Sequence, residues 1–387
     1  MITDLQVIFV TGSDFPESKS AGTQKLKLMV SAMTEIGIDV KVYIPLSLSG
    51  LPQVSSGNHQ GAAYRKFKQT PPNAPRFIRG VLLLIGYILM FIRIIRDADK
   101  NRKSVIVLSY THFPLYLISY ILARLLSMKV IVSIMEYHPS IVKGRIRGIN
   151  ARMFDHWFVN LCDGLISITK PLEKKILRRR TKVRKSLVIP ALADYESIVE
   201  IHAEAKAKDC FTICTSVGYK ENIDYCIDCI NLMQNKEVSL CIVLYGKEAL
   251  IRKTIDENRD KRVVFMTNLS DHDLHVLYAS SIALLIPMRT DNEQDLYRFP
   301  QKIAEYLASS RPIVTNSVGI INEILVDEVN ACVLDRYDPV LYAKRMDRLT
   351  IDKEYASKIG RSGYFTGKEK LHYANYSKAL YEFFEGV

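Results

Sequence analysis

Short apolar runs alternate with amphipathic stretches along the chain, and this alternation constrains the fold more than any other feature. In the first half the apolar runs predict six strands, at residues 6–10, 39–43, 104–108, 129–134, 164–168 and 186–189. The stretches between them have apolar residues at helical spacing. Strands that alternate with helices in this way form parallel sheets with helices on both faces.

The pattern begins again after residues 190–208, which we interpret as a linker. Six more strands are predicted, at residues 211–217, 239–245, 262–265, 281–286, 312–314 and 331–334. The sequence therefore predicts an α/β protein with two Rossmann-like, doubly wound parallel-sheet domains that face a cleft. We place the first domain at residues 1–195 and the second at 205–365. A helix at 366–387 could cross back to the first domain.

The formal charge is divided unevenly between the two halves. Residues 1–190 contain 29 Lys and Arg against 11 Asp and Glu, whereas residues 191–387 contain 24 against 30. One basic group comprises Arg76, Arg79, Arg93, Arg96 and Lys100. The other comprises Lys174, Lys175, Arg178, Arg179, Arg180, Lys182, Arg184 and Lys185. Such groups indicate that the first half faces an anionic partner, either a lipid surface or nucleic acid, and a solvated helix face is the alternative interpretation.

The first basic group brackets the longest apolar run, residues 81–92. This run has about a dozen residues, fewer than the roughly 20 that span a bilayer. We therefore expect a core helix or a helix at a membrane surface. The start of the sequence lacks the basic region and apolar core of a signal peptide, and the cysteine count is odd, at seven. The missing signal peptide and the odd cysteine count predict a reduced, cytoplasmic protein. The basic groups predict that it associates peripherally with the membrane.

Four of the cysteines have a spacing that superficially resembles a zinc site: Cys210, Cys214, Cys226 and Cys229. The first two fall in a predicted strand, and the last two have helical spacing. Small buried thiols explain this pattern better than a metal does. We therefore assign no metal site.

Residues 298–314 contain the strongest candidate for a ligand site. Pro300 suits the first turn of a helix, because its missing N–H costs nothing there. The N-terminus of a helix presents free N–H groups to phosphate. Lys302 could neutralise that phosphate, and Glu305, on the same helix face, could accept hydrogen bonds from two ribose hydroxyls. A simple surface ion pair is the alternative interpretation of this spacing.

In the wider sequence, these motifs resemble the retaining glycosyltransferases of the two-Rossmann-domain (GT-B) fold, in the glycosyl transferases group 1 set. The resemblance rests on Phe299-Pro300-Gln301-Lys302, Glu305-Tyr306-Leu307-Ala308, Arg311-Pro312-Ile313-Val314 and Gly319-Ile320-Ile321-Asn322-Glu323-Ile324. Residues 9–23, 163–168, 216–224 and 327–334 are similar to further elements of that family. The resemblance implies metal-independent transfer of a sugar, with retention, from a nucleotide-sugar such as a UDP- or GDP-sugar. It implies no cofactor, and an acceptor that is a glycan or lipid-linked molecule of cell-surface glycan synthesis.

The resemblance also assigns residues to the donor. They are Glu305 for the ribose, Lys302 and Lys220 for the diphosphate, and Gly218, Arg298, Phe299, Pro300 and Gly22 nearby. Among several departures from the family pattern, Tyr297 stands where many members have a first glutamate. Glu293 and Asp295 are nearby carboxylates that could replace it.

The candidate catalytic residues of the first domain follow two predicted strands. Glu136 and His138 come after strand 129–134, and His112 comes after strand 104–108. The ends of parallel strands are where side chains reach a ligand. A solvent-facing loop histidine is the alternative interpretation of His112.

Other classes of protein remain open alternatives. The chain could be a catalytically inactive nucleotide-sugar-binding protein, a basic nucleic-acid-binding protein or a sugar-nucleotide epimerase. We expect no nucleic-acid partner, because no aromatic residues lie among the basic residues of the second group and the sequence contains no known nucleic-acid-binding module. A dinucleotide-dependent oxidoreductase would need Gly-x-Gly-x-x-Gly after the first strand, and Gly12 to Gly22 do not supply it.

Overall fold

The computed structural model describes residues 4–47, 55–71, 73–97, 102–109, 113–137, 144–178, 183, 185–202, 204–258 and 260–387. It contains two compact units, Met1–Pro190 with Tyr373–Val387, and Ala191–His372. Each unit is an α/β structure built around its own sheet. The boundary between the units lies at residue 190, and the chain returns to the first unit at residue 373 rather than 366.

The first unit contains an eight-stranded sheet. Its strands are β1 (Leu5–Val10), β2 (Asp39–Ser47), β3 (Ser56–His59), β4 (Ala62–Gln69), β5 (Lys103–Leu108), β6 (Lys129–Ile134), β7 (Gly164–Ser167) and β8 (Lys185–Val188). They lie in the order β3-β4-β2-β1-β5-β6-β7-β8, and every described pair is parallel except β3 with β4. All six residues of β1 are buried. Burial on both faces explains why five of these six residues are apolar, the exception being Gln6.

The antiparallel hairpin at the edge of this sheet was not predicted. Its turn contains Gln60 and Gly61, which both have positive φ, as two-residue hairpin turns require. β3 has the sequence Ser-Gly-Asn-His and is mostly exposed. A polar edge strand gives no apolar run, so the sequence pattern did not predict this addition to an otherwise parallel sheet.

The helices of the first unit cover both faces of its sheet. They include α1 (Ala21–Thr34), α2 (Arg76–Asp97), α3 (Phe113–Leu125), α4 (Arg145–Trp157) and α5 (Lys170–Leu177). The connection from β1 to β2 through α1 runs opposite to the connections through α2, α3, α4 and α5. Since such connections are right-handed, α1 covers one face and the other four cover the opposite face.

The second unit contains a six-stranded parallel sheet. Its strands are β9 (Cys210–Ser216), β10 (Ser239–Tyr245), β11 (Val263–Thr267), β12 (Ala283–Ile286), β13 (Ile313–Asn316) and β14 (Cys332–Leu334). They lie in the order β11-β10-β9-β12-β13-β14. The carboxyl ends of all six therefore meet at one edge, where ligands of open α/β sheets bind.

Nine helices flank the described strands of the second unit. They are α6 (Tyr195–His202), α7 (Lys220–Leu232), α8 (Glu248–Glu257), α9 (Asp271–Ser280), α10 (Glu293–Tyr297), α11 (Gln301–Ala308), α12 (Ile321–Ile324), α13 (Pro339–Ile351) and α14 (Lys353–Leu371). Cys226 and Cys229 lie in α7 and pack in the core of this unit. Cys210 and Cys214 lie in β9 and are also buried.

Two segments outside the predicted domain cores are ordered helices. α6 falls within the predicted linker, and its buried Tyr195 donates a hydrogen bond to the Ala304 carbonyl at 3.1 Å. The last helix, α15 (Ser377–Gly386), packs against α1 and β8 of the first unit. Its buried Phe383 lies against Gly164, where an added Cβ would come within 3.0 Å of the ring.

Candidate functional site

The candidate site is built around the start of α11. This helix begins after Pro300, whose backbone is extended (φ −58°, ψ 128°). The first N–H groups of a helix have no intrahelical partner, and none of the described side chains caps them here. A parallel sheet positions such a start at the carboxyl edge of its strands. The first turn of α11 is therefore suited to an anion.

Lys302 and Glu305 form an ion pair on the first turns of α11. The Nζ–Oε2 distance is 2.7 Å, and the side chains are 29% and 12% exposed. Burial alone would lower the pKa of Lys302, but the Glu305 carboxylate raises it above the usual lysine value. The pair is thus partly enclosed, and Lys302 stays positively charged. It differs in this respect from the surface ion pair that the spacing alone would allow.

Two tyrosines enclose the Lys302 ammonium. Its Nζ lies 6.0 Å from the ring centroid of Tyr245 and 5.8 Å from that of Tyr278. Tyr245 ends β10, and Tyr278 lies in α9. Aromatic faces attract cations at these distances. Strand, helix and ion pair therefore hold the ammonium in one position.

Buried hydrogen bonds fix α11 against the rest of the second unit. The Cys214 N–H of β9 donates to the Tyr306 hydroxyl at 2.9 Å. The Tyr306 ring meets the Tyr278 ring edge-on, with centroids 4.8 Å apart. Gln301 donates its side-chain N–H to the Leu192 carbonyl. Because these contacts are buried, the start of α11 is positioned before any ligand arrives.

Arg298 joins the segment before α11 to the loop after β9. Its guanidinium pairs with Asp295 at 2.6 Å and donates to the Tyr219 hydroxyl at 3.1 Å. The same group lies 5.1 Å from the Tyr219 ring centroid. Gly218 precedes Tyr219 and is exposed, whereas Phe299 is buried and anchors the segment from inside. The structure thus brings Arg298 and Gly218 to the same edge of the sheet.

Asp295 contributes to the shape of this loop. It accepts a hydrogen bond from the Arg289 N–H at 2.9 Å in addition to its ion pair with Arg298. Burial raises the pKa of Asp295. Glu293, the other carboxylate near Tyr297, is exposed. Of these two carboxylates, Asp295 is the one that the protein holds in place.

Lys220 and Gly22 have surroundings unlike those of the residues at the start of α11. Lys220 begins α7, is 55% exposed and pairs with Asp224 at 2.9 Å and with Glu257 at 3.7 Å. Gly22 is the second residue of α1 in the first unit. An added Cβ there would lie 3.7 Å from Met135 Sδ, at ordinary contact distance. Packing alone therefore does not require glycine at position 22.

The predicted acceptor-side residues belong to the first unit. Glu136 is half-buried and follows Met135 at the end of β6, so it lies close to Gly22 in space. His112 and His138 lie outside the described residues, and their predicted roles stay predictions. The three side chains that sequence analysis missed are Tyr245, Tyr278 and Tyr219. Only Tyr245 gave a signal, because it ends the predicted strand 239–245.

Comparison with known proteins gives a family match within the second unit. Residues 207–352 match the family model described as Glycosyl transferases group 1. A search by sequence among curated proteins gives no match.

Solved structures resemble the chain over almost its whole length. Sucrose-phosphate synthase from Thermosynechococcus elongatus has a TM-score of 0.75 at 13% identity, over 99% of this chain and 98% of that one. The Anabaena protein HepE, solved with UDP and glucose, has a TM-score of 0.69 at 12% identity, over 99% and 100%. A protein from E. coli, solved with UDP-2-fluoro glucose, has a TM-score of 0.66 at 11% identity, over 99% of each chain.

At these identities the likeness is one of fold. It confirms two parallel-sheet α/β domains as the architecture. Residues 207–352 are therefore similar to the glycosyl transferases group 1 family, and the whole chain has the two-domain α/β (GT-B) fold of these solved structures.

Proposed function

We propose that the protein transfers a sugar from a nucleoside diphosphate sugar to an acceptor, with retention at the anomeric carbon. The observation that carries this proposal is the partly enclosed Lys302–Glu305 pair on the first turns of α11. In this proposal Glu305 accepts hydrogen bonds from the ribose hydroxyls. The Lys302 ammonium and the first-turn N–H groups bind the diphosphate.

The chemistry needs charge stabilisation at the leaving group. The bond between the anomeric carbon and the diphosphate breaks, and the diphosphate keeps the electron pair. A bond forms between the acceptor oxygen and the anomeric carbon, and the acceptor hydroxyl passes its proton to an oxygen of the departing diphosphate. Lys302 meets the negative charge that develops on the diphosphate. No metal is required for that step, because a fixed cation and helix N–H groups supply the positive charge.

A uridine diphosphate sugar is the first donor to test. Two of the similar structures are of proteins solved with UDP or a UDP-sugar analogue. In the first unit, Glu136, His138 and His112 are the proposed acceptor-side residues, with Glu136 beside the Gly22 region. We further propose that the acceptor is lipid-linked or a growing glycan, and that the protein works at the cytoplasmic surface of a membrane.

The test is a reaction monitored by NMR with a panel of UDP- and GDP-sugars and membrane extract as the acceptor source. We expect one donor to release its nucleoside diphosphate and to yield a product with the anomeric configuration of the donor. Release with inversion would contradict the retaining mechanism. A panel without turnover, in which nucleotide nevertheless binds, would favour a binding protein that lacks catalysis.

A further inference from the structure

The α2 helix presents a long apolar surface to solvent. Its exposed large apolar side chains are Phe77, Ile78, Val81, Leu84, Ile85, Ile88, Leu89, Ile92 and Ile95. At about 100° per residue, these nine positions fall within an arc of about 140°. We call them the α2 stripe. The helix has 22 residues and is therefore about 33 Å long.

The opposite side of α2 is packed on the sheet of the first unit. Gly86, Tyr87, Met90 and Ile94 are buried there. An added Cβ on Gly86 would come within 2.0 Å of the Pro45 carbonyl oxygen, so the two backbones are in direct contact. By length and composition α2 could cross a membrane. A crossing helix would have to give up this packing.

The end of α2 is also tied to the sheet. Asp97 accepts a hydrogen bond from Arg93 Nε at 2.8 Å and another from the Tyr43 hydroxyl of β2. Asp97 is the only carboxylate among residues 76–97 of the sequence. Apart from Asp97, which these bonds hold against the sheet, α2 therefore has no acidic side chain.

Two further helices of the first unit also expose apolar side chains. Exposed Ile118, Ile121 and Leu125 follow one another at helical spacing on α3, and Ile149, Met153 and Trp157 do so on α4. Right-handed connections place α2, α3 and α4 over the same face of the sheet. Exposed apolar surface of this extent marks a site of interaction with a protein or a membrane.

The positive charges at the two ends of the stripe favour a lipid surface as its partner over a second copy of this chain. Arg76 and Arg79 are exposed at the start of α2, and Arg96 is exposed at its end. Anionic headgroups would neutralise these cations. A second copy of the chain on the same stripe would instead bring its own arginines to them.

We propose that α2 lies in the plane of a membrane interface, with its stripe between the acyl chains and its packed side still on β2. The flanking arginines contact anionic headgroups. This contact specifies how the protein would reach the membrane surface proposed above. It involves residues of the first unit alone and does not depend on the sugar-transfer reaction. Because apolar insertion supplies much of the affinity, binding survives high salt, unlike adsorption by basic residues alone.

Vesicle flotation tests this proposal, with vesicles of phosphatidylcholine alone or mixed with phosphatidylglycerol. The triple variant Leu84→Gln/Ile88→Gln/Ile92→Gln should bind mixed vesicles on the order of a hundredfold more weakly, also at high salt. The matched control, Leu232→Gln/Leu250→Gln/Ile351→Gln, changes three exposed apolar residues of the second unit and should bind normally. Equal binding by the stripe variant and the control would overturn the proposal.

Depth measurement separates an in-plane helix from a crossing one. Nitroxide labels at Phe77→Cys, Ile85→Cys and Ile95→Cys should lie at similar, shallow depths. A central label much deeper than the two end labels would show a crossing helix and would overturn the proposal. Self-association that the stripe variant removes, without any vesicle binding by the wild type, would overturn it in favour of a dimer. The same variant should keep its thermal shift with UDP, so a failure here is distinct from a failure of the donor site.

Discussion

Lys302 Nζ lies 2.7 Å from Glu305 Oε2, which belongs to the residue one helical turn further along α11. Among the described residues of the second unit, no other lysine–glutamate pair also contacts two tyrosine rings. A cation and a carboxylate fixed at a helix start can address two parts of one ligand. The cation suits a phosphate, and the carboxylate suits a diol. The first two predictions separate these roles.

Replacing the carboxylate should weaken binding of the ribose. We expect Glu305→Gln to lower the affinity for UDP and for uridine alike, by roughly 10- to 100-fold, because hydrogen bonds to a charged group contribute about 1.5–3 kcal/mol. Thermal shift with each ligand measures this. The control is Glu248→Gln, an exposed glutamate of the same unit. Equal ligand shifts in wild type and Glu305→Gln would remove the ribose assignment.

Replacing the cation should act on the phosphates instead. We expect Lys302→Met to weaken UDP binding at least tenfold while uridine binding changes little, since one charge-assisted contact is lost. Affinities for UDP, UMP and uridine, measured by calorimetry, give the comparison. The control is Lys253→Met, an exposed lysine on α8. A uniform loss across all three ligands would mean that Lys302 merely supports Glu305.

A buried lysine in the first unit gives a prediction about pH. Lys25 is buried in α1 and donates to the Ile189 carbonyl. Burial lowers the pKa of Lys25 from 10.5 to about 7. Between these values the unfolded chain binds the extra proton, so stability rises with pH, by up to about 1.4 kcal/mol per pH unit. Below about pH 7 both states are protonated and this dependence ends.

Urea unfolding at pH 7 and pH 8.5, with wild type and Lys25→Met compared, measures that rise. Trp157 is the only tryptophan of the sequence and lies in the first unit, so its fluorescence reports on the correct unit. We expect the variant to lose most of the rise. Parallel pH dependences in both proteins would show that Lys25 stays charged when folded.

The contact between α2 and β2 predicts a difference between two glycines of the same helix. Gly86→Ala would push a Cβ into the Pro45 carbonyl and should destabilise the first unit by about 1–3 kcal/mol. Gly80→Ala meets no atom within 4 Å and should be neutral or stabilising by about 1 kcal/mol. Unfolding followed at Trp157 measures both. Similar effects of the two substitutions would contradict the packing described for α2.

Much of the fold could be predicted because buried parallel strands are apolar on both faces. The run 211–217 predicted β9, which the structure places at Cys210–Ser216. The edge hairpin was missed because β3 is polar. The helix α6 was missed because only Tyr195 and Ile198 of its residues are buried. Short or polar elements depend on tertiary contacts that periodicity does not record.

Sequence analysis predicted only those residues of the candidate site that lie close together in the sequence. Helical spacing placed Lys302 and Glu305 on one face, and the structure pairs them. Tyr278 and Tyr219 come from other elements, and nothing in the local pattern linked them to Lys302 or Arg298. The α2 stripe was hidden for another reason. Both sides of that helix are apolar, so the sequence does not distinguish the side that packs from the side that is exposed.

The most direct test of the central claim is calorimetric titration of the wild-type protein with UDP-sugars, UDP and GDP. We predict saturable binding of a nucleoside diphosphate and its sugar at one site per chain, with a large loss in Glu305→Gln. Absence of heat with every nucleotide, together with tight, salt-dependent binding of RNA, would contradict the account. The basic first half of the chain, and not the α11 site, would then be the ligand-binding surface.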